Sequence, residues 1–311
     1  MIDVIDVTKR FGAFTVFSGL SLRVPKSSIY GLVGFNGAGK TTLLKTAAGI
    51  YRPEAGAVRM DAENVFDNAK IKRHLFYMPD ELYFQPFATL AKMSKFYQNY
   101  YPSFNRRTFR ELVDIFGLDP HKKINGFSKG MQRQAELILC LSTHPDFLLL
   151  DESFDGLDPA KRNTAKKLLL EYVAERGASV LISSHNLHEL EDLCDRVGLL
   201  DGQRLALDCA VDDISAAYCK FRVAFDREVS RADFAGFACK RFARDGRLIT
   251  LTVEGDIQSQ EERLRAMHPI LLERFPLSLE EVFMAQMEDG ERDYSGIFCP
   301  DETTPDGRRA R

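Results

Sequence analysis

At 311 residues and 45% hydrophobic content, the chain is long enough for two domains and apolar enough to bury a sizeable core. Its 42 basic and 45 acidic residues leave a net charge of -3, which excludes the electrostatic footprint of a nucleic-acid binder. The six cysteines (Cys140, Cys194, Cys209, Cys219, Cys239 and Cys299) show no CxxC pair and no metal-ligand spacing, so reduced thiols are expected and disulfides are not.

The N-terminus, MIDVIDVTKRF, has neither a basic leader nor an apolar one, and the longest apolar runs, such as ELILCL and DFLLLD, fall far short of a bilayer span. The chain is therefore expected neither to cross a membrane nor to enter a secretory path by itself. IDVIDVT and FSGLSLRVP alternate apolar and polar residues, which predicts half-buried antiparallel strands. IYGLV predicts a short buried strand that runs into GFNGAGK, and TTLLKTAAG a helix closed by Gly49.

From about residue 80 to 145 the pattern is helical, with Phe109, Leu112, Val113 and Phe116 at i, i+3, i+4 and i+7, and reads as a helical insertion. FLLLD is a buried strand. Asp158 and Pro159 supply a helix N-cap and first helical position, and Gly177 the end of that helix. SVLISSH is a further buried strand, and a short acidic helix follows it. The hairpin VGLLDGQRLAL, turning at Asp201-Gly202, closes a first unit over residues 1–208.

A small α+β unit is expected over 209–287. FRVAF, the hairpin KRFARDGRLITLTVE with its Asp245-Gly246 turn, and ILLERF suggest three short strands. One helix is expected near 258 to 267, and another starts at SLEEVF, where Ser278 and Glu281 form a capping box. Residues 288–311 are polar and rich in turn-formers, the composition of a disordered tail.

The chemistry lies in the first unit. In GFNGAGKTT (Gly34, Phe35, Asn36, Gly37, Ala38, Gly39, Lys40, Thr41, Thr42), the glycines let backbone N–H groups converge on phosphate oxygens at the positive end of the following helix. Lys40 would reach the β- and γ-phosphates and the Thr41 hydroxyl would ligate magnesium. FLLLDE ends a buried strand in two carboxylates: Asp151 to hold the magnesium shell, Glu152 to orient or deprotonate an attacking water. SVLISSH puts His185 at a third strand end, in reach of a γ-phosphate or that water. His188 invites a metal reading, yet no carboxylate or cysteine completes a ligand set. FSKGMQRQ, ahead of AELILCL, looks like a second anion-binding helix start, with Ser128 two positions before Gly130.

The ordered series GFNGAGKTT, FSKGMQ, FLLLDE, FDGLDP and LISSH resembles the ATP-binding cassette (ABC) family, the ATPase subunits of ABC transporters, over residues 1 to about 208. The resemblance implies an α/β fold of the P-loop NTPase class: a mixed sheet with an antiparallel β subdomain and a helical subdomain over about 80–145. It also implies ATP and Mg2+ as ligands and a dimer in which Ser128 and Gly130 face the ATP held by the other subunit. Phe11, in KRFG, matches the aromatic that stacks on adenine, and Asp158 matches the loop that crosses the dimer interface. Two positions depart from the family pattern: Asp80 after YMP, where glutamine touches magnesium and water and relays to the membrane partner, and Ser153, where proline is usual. An aspartate still offers magnesium an oxygen but has no amide donor.

YMPDELYF, FYQNYYPSF, FSKGMQRQ and DESFDGLD are similar to the bacterial YtrB-like branch of multidrug or peptide exporters, and SLEEVF resembles a C-terminal motif of such ATPases. The implied partners are a second ABC ATPase subunit, identical or paralogous, and a separate transmembrane permease, with no nucleic acid. The implied location is cytoplasmic, at the inner face of the cell membrane. The competing reading is a soluble ABC ATPase of regulation, translation or DNA maintenance; two cassettes in one chain, a long coiled coil or a basic surface would favour it, and the sequence has none.

Overall fold

The computed structural model describes residues 1–287; the tail expected at 288–311, with Cys299, lies outside them. β1 (Ile2–Phe11) and β2 (Phe14–Val24) pair antiparallel and bury alternating apolar residues, among them Val4, Val7, Phe17, Leu20 and Leu22. β3 (Ser28–Val33) is buried at every position, as a central parallel strand covered on both faces must be. It passes through residues 34–39 into α1 (Lys40–Ala47), after which Gly49 adopts a φ of 66°. β4 (Ala55–Met60) and β5 (Glu63–Asn64) complete a first, antiparallel sheet in the order β2-β1-β4-β5. A short α2 (Ala69–Lys72), capped by Asn68, leads to β6 (Leu75–Met78).

The helical insertion contains α3 (Leu90–Tyr100), α4 (Arg106–Phe116) and α5 (Lys129–Ser142), whose side-chain N-caps are Thr89, Asn105 and Ser128. On α4 the predicted stripe faces inward: Leu112, Val113 and Phe116 are buried and Phe109 packs beside them. Next come β7 (Phe147–Asp151), α6 (Pro159–Arg176), β8 (Ser179–Ser183), α7 (Leu187–Glu191) and the hairpin of β9 (Arg196–Asp201) and β10 (Arg204–Ala210). Asp158 caps α6 by accepting from the Lys161 N–H, and Gly177 ends it at a φ of 67°. The central sheet runs β10-β9-β3-β8-β7-β6, parallel except for β10.

Beyond it follow α8 (Val211–Ala217), β11 (Tyr218–Ala224), β12 (Cys239–Asp245), β13 (Leu248–Glu254), α9 (Ile257–Ala266), β14 (Leu271–Pro276) and α10 (Leu279–Met287). The third sheet, β12-β13-β11-β14, has four strands where three were expected, because the hairpin at Asp245-Gly246 contributes two. The capping box of α10 is formed: the Ser278 N–H donates to Glu281 Oε2 at 3.2 Å and the Glu281 N–H to Ser278 Oγ at 3.3 Å.

Three apolar clusters hold these layers. One lies between the first sheet, α1 and one face of the central sheet, and a second fills the third sheet with α9. The largest, under the helical insertion and α6, also takes in Leu279, Val282 and Phe283 of α10. The last helix thus packs on the first unit, where the Leu279 N–H donates to Glu191 Oε1 at 3.2 Å, while Glu281 pairs with Lys220 of β11. Among the described residues the five cysteines are free thiols, and no helix is long and apolar enough to cross a membrane.

Candidate functional site

Parallel pairing brings four strand ends level. Leu32 of β3 and Asp151 of β7 both pair with Ser183 of β8, and Met78 of β6 pairs with Leu150. The loops after these strands therefore open at one edge, the carboxyl edge at which open α/β sheets bind ligands. There Phe11, Phe14, Val16, Phe35, Asn36, Gly37, Gly39, Lys40, Thr41, Thr42, Asp80, Glu152, Asp155 and His185 enclose a cavity of about 480 Å³.

The loop 34–39 holds its shape through two glycines that cannot be replaced without displacement. A Cβ on Gly39, at a φ of 103°, would lie 2.7 Å from Val16 Cγ1, and one on Gly34 would lie 2.7 Å from the Leu200 carbonyl oxygen. Lys40 curls back under the loop: its Nζ donates to the Gly34 carbonyl at 2.7 Å and the Phe35 carbonyl at 3.3 Å. Burial lowers its pKa, an effect that Glu152 and Asp151 oppose. Ala38, half-buried, packs against the cluster that includes α1.

Asp151 is fully buried beneath the cavity. It accepts from Ser183 Oγ at 2.6 Å and from the Tyr77 hydroxyl at 3.4 Å, and burial together with this carboxylate raises the Tyr77 pKa. Glu152 has a φ of 45°, a left-handed backbone that costs a non-glycine residue about 1–3 kcal/mol. The strain is held by its N–H, which donates to the carbonyl and hydroxyl oxygens of Ser183, both at 3.2 Å. Its carboxylate lies between Lys40 and His185. His185 Nδ1 is 2.9 Å from Oε2, the His185 N–H donates to the same oxygen at 3.2 Å, and Lys40 Nζ is 3.9 Å from Oε1. The hydrogen bond to Glu152 raises the pKa of the His185 imidazole.

Asp155, which no motif of the sequence singles out, stands 3.8 Å from His185 Nδ1 and completes a cluster with Glu152 and His185 whose ligand atoms lie within 4.8 Å of one another. Its signal was its place three residues after Glu152 in the same turn. His188 has two carboxylates beside it, Glu191 three residues on at 3.7 Å and, from α10, Glu280 at 3.3 Å. Phe11 leaves a ring half exposed at the cavity, edge-on to Tyr51 at 5.4 Å. Phe35 leans edge-on against Phe283 of α10 at 5.6 Å.

Asp80 lines the cavity, yet its side chain is shared with the helical insertion, where Oδ1 accepts from Arg133 at 3.2 Å. Ser153 is buried, and its hydroxyl has no partner among the described residues. Six predicted residues are absent from the cavity wall: Gly34, Ala38 and Asp151, which lie behind residues that line it, and Ser128, Gly130 and Asp158. Ser128 is an exposed N-cap that accepts from the Met131 N–H at 3.3 Å, and Asp158 is the exposed N-cap of α6. Gly130 packs so close to the loop before Asp158 that a Cβ would lie 2.4 Å from the Gly156 carbonyl oxygen.

A glycine loop at a helix N-terminus, a buried aspartate and a strained glutamate thus meet at one sheet edge. The family model described as ABC transporter matches residues 17–155. The chain is 30% identical over 286 residues to the ABC transporter ATP-binding protein YtrB of Bacillus subtilis, covering 92% of this chain and 98% of that one. It is 30% identical to the bacitracin transport ATP-binding protein BcrA of Bacillus licheniformis, over 71% of this chain and 73% of that one. Against the Nod factor export ATP-binding protein I of Burkholderia orbicola the identity is 34%, over 66% and 69%. A solved ATP-binding subunit of an ABC transporter superposes with a TM-score of 0.65 at 26% identity, over 69% of this chain and 91% of that one. The chain belongs to the family of ABC transporter ATP-binding proteins and is an ATPase of that family.

Proposed function

We propose that the chain is the ATP-hydrolysing subunit of an exporter, closing head to tail on a second cassette around two Mg-ATP and driving a separate transmembrane subunit. One observation carries this reading: Lys40, Glu152 and His185 surround the cavity, whereas Ser128 and Gly130 lie outside it on the same chain. A signature helix start that cannot serve its own cavity is half a site, and a second copy supplies the other half. The export direction is supported by likeness to a relative named for Nod factor export.

In this reading the adenine stacks on Phe11, the loop 34–39 and Lys40 hold the β- and γ-phosphates, and Glu152 takes the proton of a water attacking in line. The all-oxygen set of Thr41, Asp80 and, from beneath, Asp151 suits magnesium, a hard cation that would offset phosphate charge. As the chain is folded, Lys40 and His185 both rest on Glu152. A γ-phosphate offers the Lys40 ammonium a stronger anion and the His185 ring another hydrogen-bond partner, so seating ATP frees the base. The segment 80–100 exposes Tyr83, Phe87, Phe96 and Tyr100, an apolar edge on which the transmembrane subunit can bear.

Ser128→Arg tests the composite site. Nucleotide binding by the dilute chain should match the parent while ATP-dependent dimerisation in sedimentation disappears; a variant that still dimerises removes Ser128 from the interface.

A further inference from the structure

A second cavity, of about 560 Å³, opens on the helical insertion and shares no residue with the nucleotide site. Its wall comes from two stretches that the backbone holds together. The Ala91 N–H donates to the Pro120 carbonyl and the Ile124 N–H to the Ala88 carbonyl, both at 2.9 Å, and Thr89 bridges Lys123 in antiparallel register. Lys92 and Lys95, one turn apart on α3, therefore share the wall with His121 and Lys123. Among the described residues no carboxylate lines this cavity and none of the three lysines forms an ion pair. Asp119, the acid nearest along the chain, accepts from the His121 N–H at 2.8 Å. Like charges on one wall repel, and an anion bound among them offsets that repulsion. At the rim Phe87 is 63% exposed and has a left-handed φ of 64°. Lys92 Nζ donates to its carbonyl at 3.2 Å, and Lys123 Nζ stands 4.6 Å from its ring centroid. Two of the lysines thus hold an aromatic ring out in water.

We propose that this cavity docks the phosphate groups of anionic phospholipids, so that the helical insertion rests directly on a membrane surface through Lys92, Lys95, Lys123 and Phe87. Three features favour lipid over a protein partner. The cations are lysines, point charges on flexible stems that follow mobile phosphates, whereas a carboxylate on a protein is gripped best by the planar fork of arginine, which the wall lacks. An exposed ring among lysines is the composition of an interfacial contact: the ring enters the headgroup layer and the ammonium groups meet its negative surface. The basic wall also continues into exposed Phe96 and Tyr100 on the same helix, which adds apolar area at one level. The proposal goes beyond the transport reading, since it needs neither nucleotide nor the transmembrane subunit.

The test is flotation of the full chain, without nucleotide, on vesicles of phosphatidylcholine alone or of phosphatidylcholine and phosphatidylglycerol in equal parts. The parent should float with the mixed vesicles about fivefold more than with the neutral ones, and high salt should remove the difference. The triple variant Lys92→Glu/Lys95→Glu/Lys123→Glu should lose about fivefold in flotation, and Phe87→Ser should weaken it while leaving its salt dependence in place. Lys26→Glu/Lys167→Glu/Lys240→Glu makes the same change in net charge elsewhere and should keep most of the binding. ATP binding equal to the parent's checks that both triple variants fold. A parent that does not distinguish the two vesicles, or equal losses in the two triple variants, overturns the proposal. So does displacement of the parent from the vesicles by inorganic phosphate at constant ionic strength, which would make this a site for free phosphate. A Lys92/Lys95/Lys123 variant that floats like the parent but no longer co-purifies with the transmembrane subunit would assign the cavity to that protein and overturn lipid docking as well. None of these results bears on the composite site, whose Ser128→Arg test is read without lipid.

Discussion

Glu152 shows how one residue combines strain, charge and chemistry. Its left-handed φ of 45° is kept by two hydrogen bonds from its N–H to Ser183, and the result aims a carboxylate with little exposure at the cavity between Lys40 and His185. In the proposed reaction Glu152 accepts the proton of the attacking water, and Glu152→Gln keeps its shape but cannot take that proton. Turnover should fall about a hundredfold or more while ATP binding persists and an ATP-bound dimer accumulates. Steady-state ATPase assay and gel filtration with ATP check this, and near-parental turnover would assign the base elsewhere. The identity of this glutamate was legible in FLLLDE. Its neighbours Lys40 and His185 are legible only as separate motifs, because nothing in the spacing from 40 to 152 to 185 states that three side chains converge.

At the scale of the element, α5 is the piece whose behaviour the sequence least revealed. FSKGMQRQ announces a capped helix start, and Ser128 does cap it. That Arg133 reaches back to residues 79 and 80, and that Glu136 is buried beneath it, follow from the packing of α5 against β6 and α3. Burial pushes the Glu136 pKa from its ordinary 4.5 up to about 7, against the pull of Arg133 and Tyr97. The folded chain then holds a proton that the unfolded chain releases. This contribution is fully present below pH 4.5 and is lost as pH rises through about 7, to a total on the order of 3 kcal/mol. Urea unfolding of parent and Glu136→Gln across pH 4.5 to 8 should show the parent losing stability relative to the variant by that order; parallel curves would mean that the carboxyl titrates normally. The short β6 was also passed over, since LFYM is too brief and too evenly apolar to show a period.

For the molecule as a whole, the decisive contact is the return of α10. SLEEVF reads as a capped amphipathic helix, and its capping box is present, but the sequence does not say against which layer the apolar face lies. Phe283 packs into the largest cluster and touches Phe35 in the loop 34–39, so the third sheet is tethered beside the cavity. Phe283→Ala should cost about 3–5 kcal/mol, the usual loss for a buried phenylalanine, and should move both β-sheet units together in one urea transition. Two separated transitions, with the ATPase part unchanged, would show that α10 secures only the last sheet. Local chemistry is written into the amino-acid order, because a glycine loop, a helix cap, a hairpin turn and a strand ending in acids each depend on neighbours within a few residues. The convergence of Lys40, Glu152, Asp155 and His185, the grip of Arg133 on Asp80, the separation of Ser128 from its own cavity and the seat of Phe283 belong to the tertiary structure alone. They are set by parallel strand register and by which faces bury together, and both couple residues far apart along the chain.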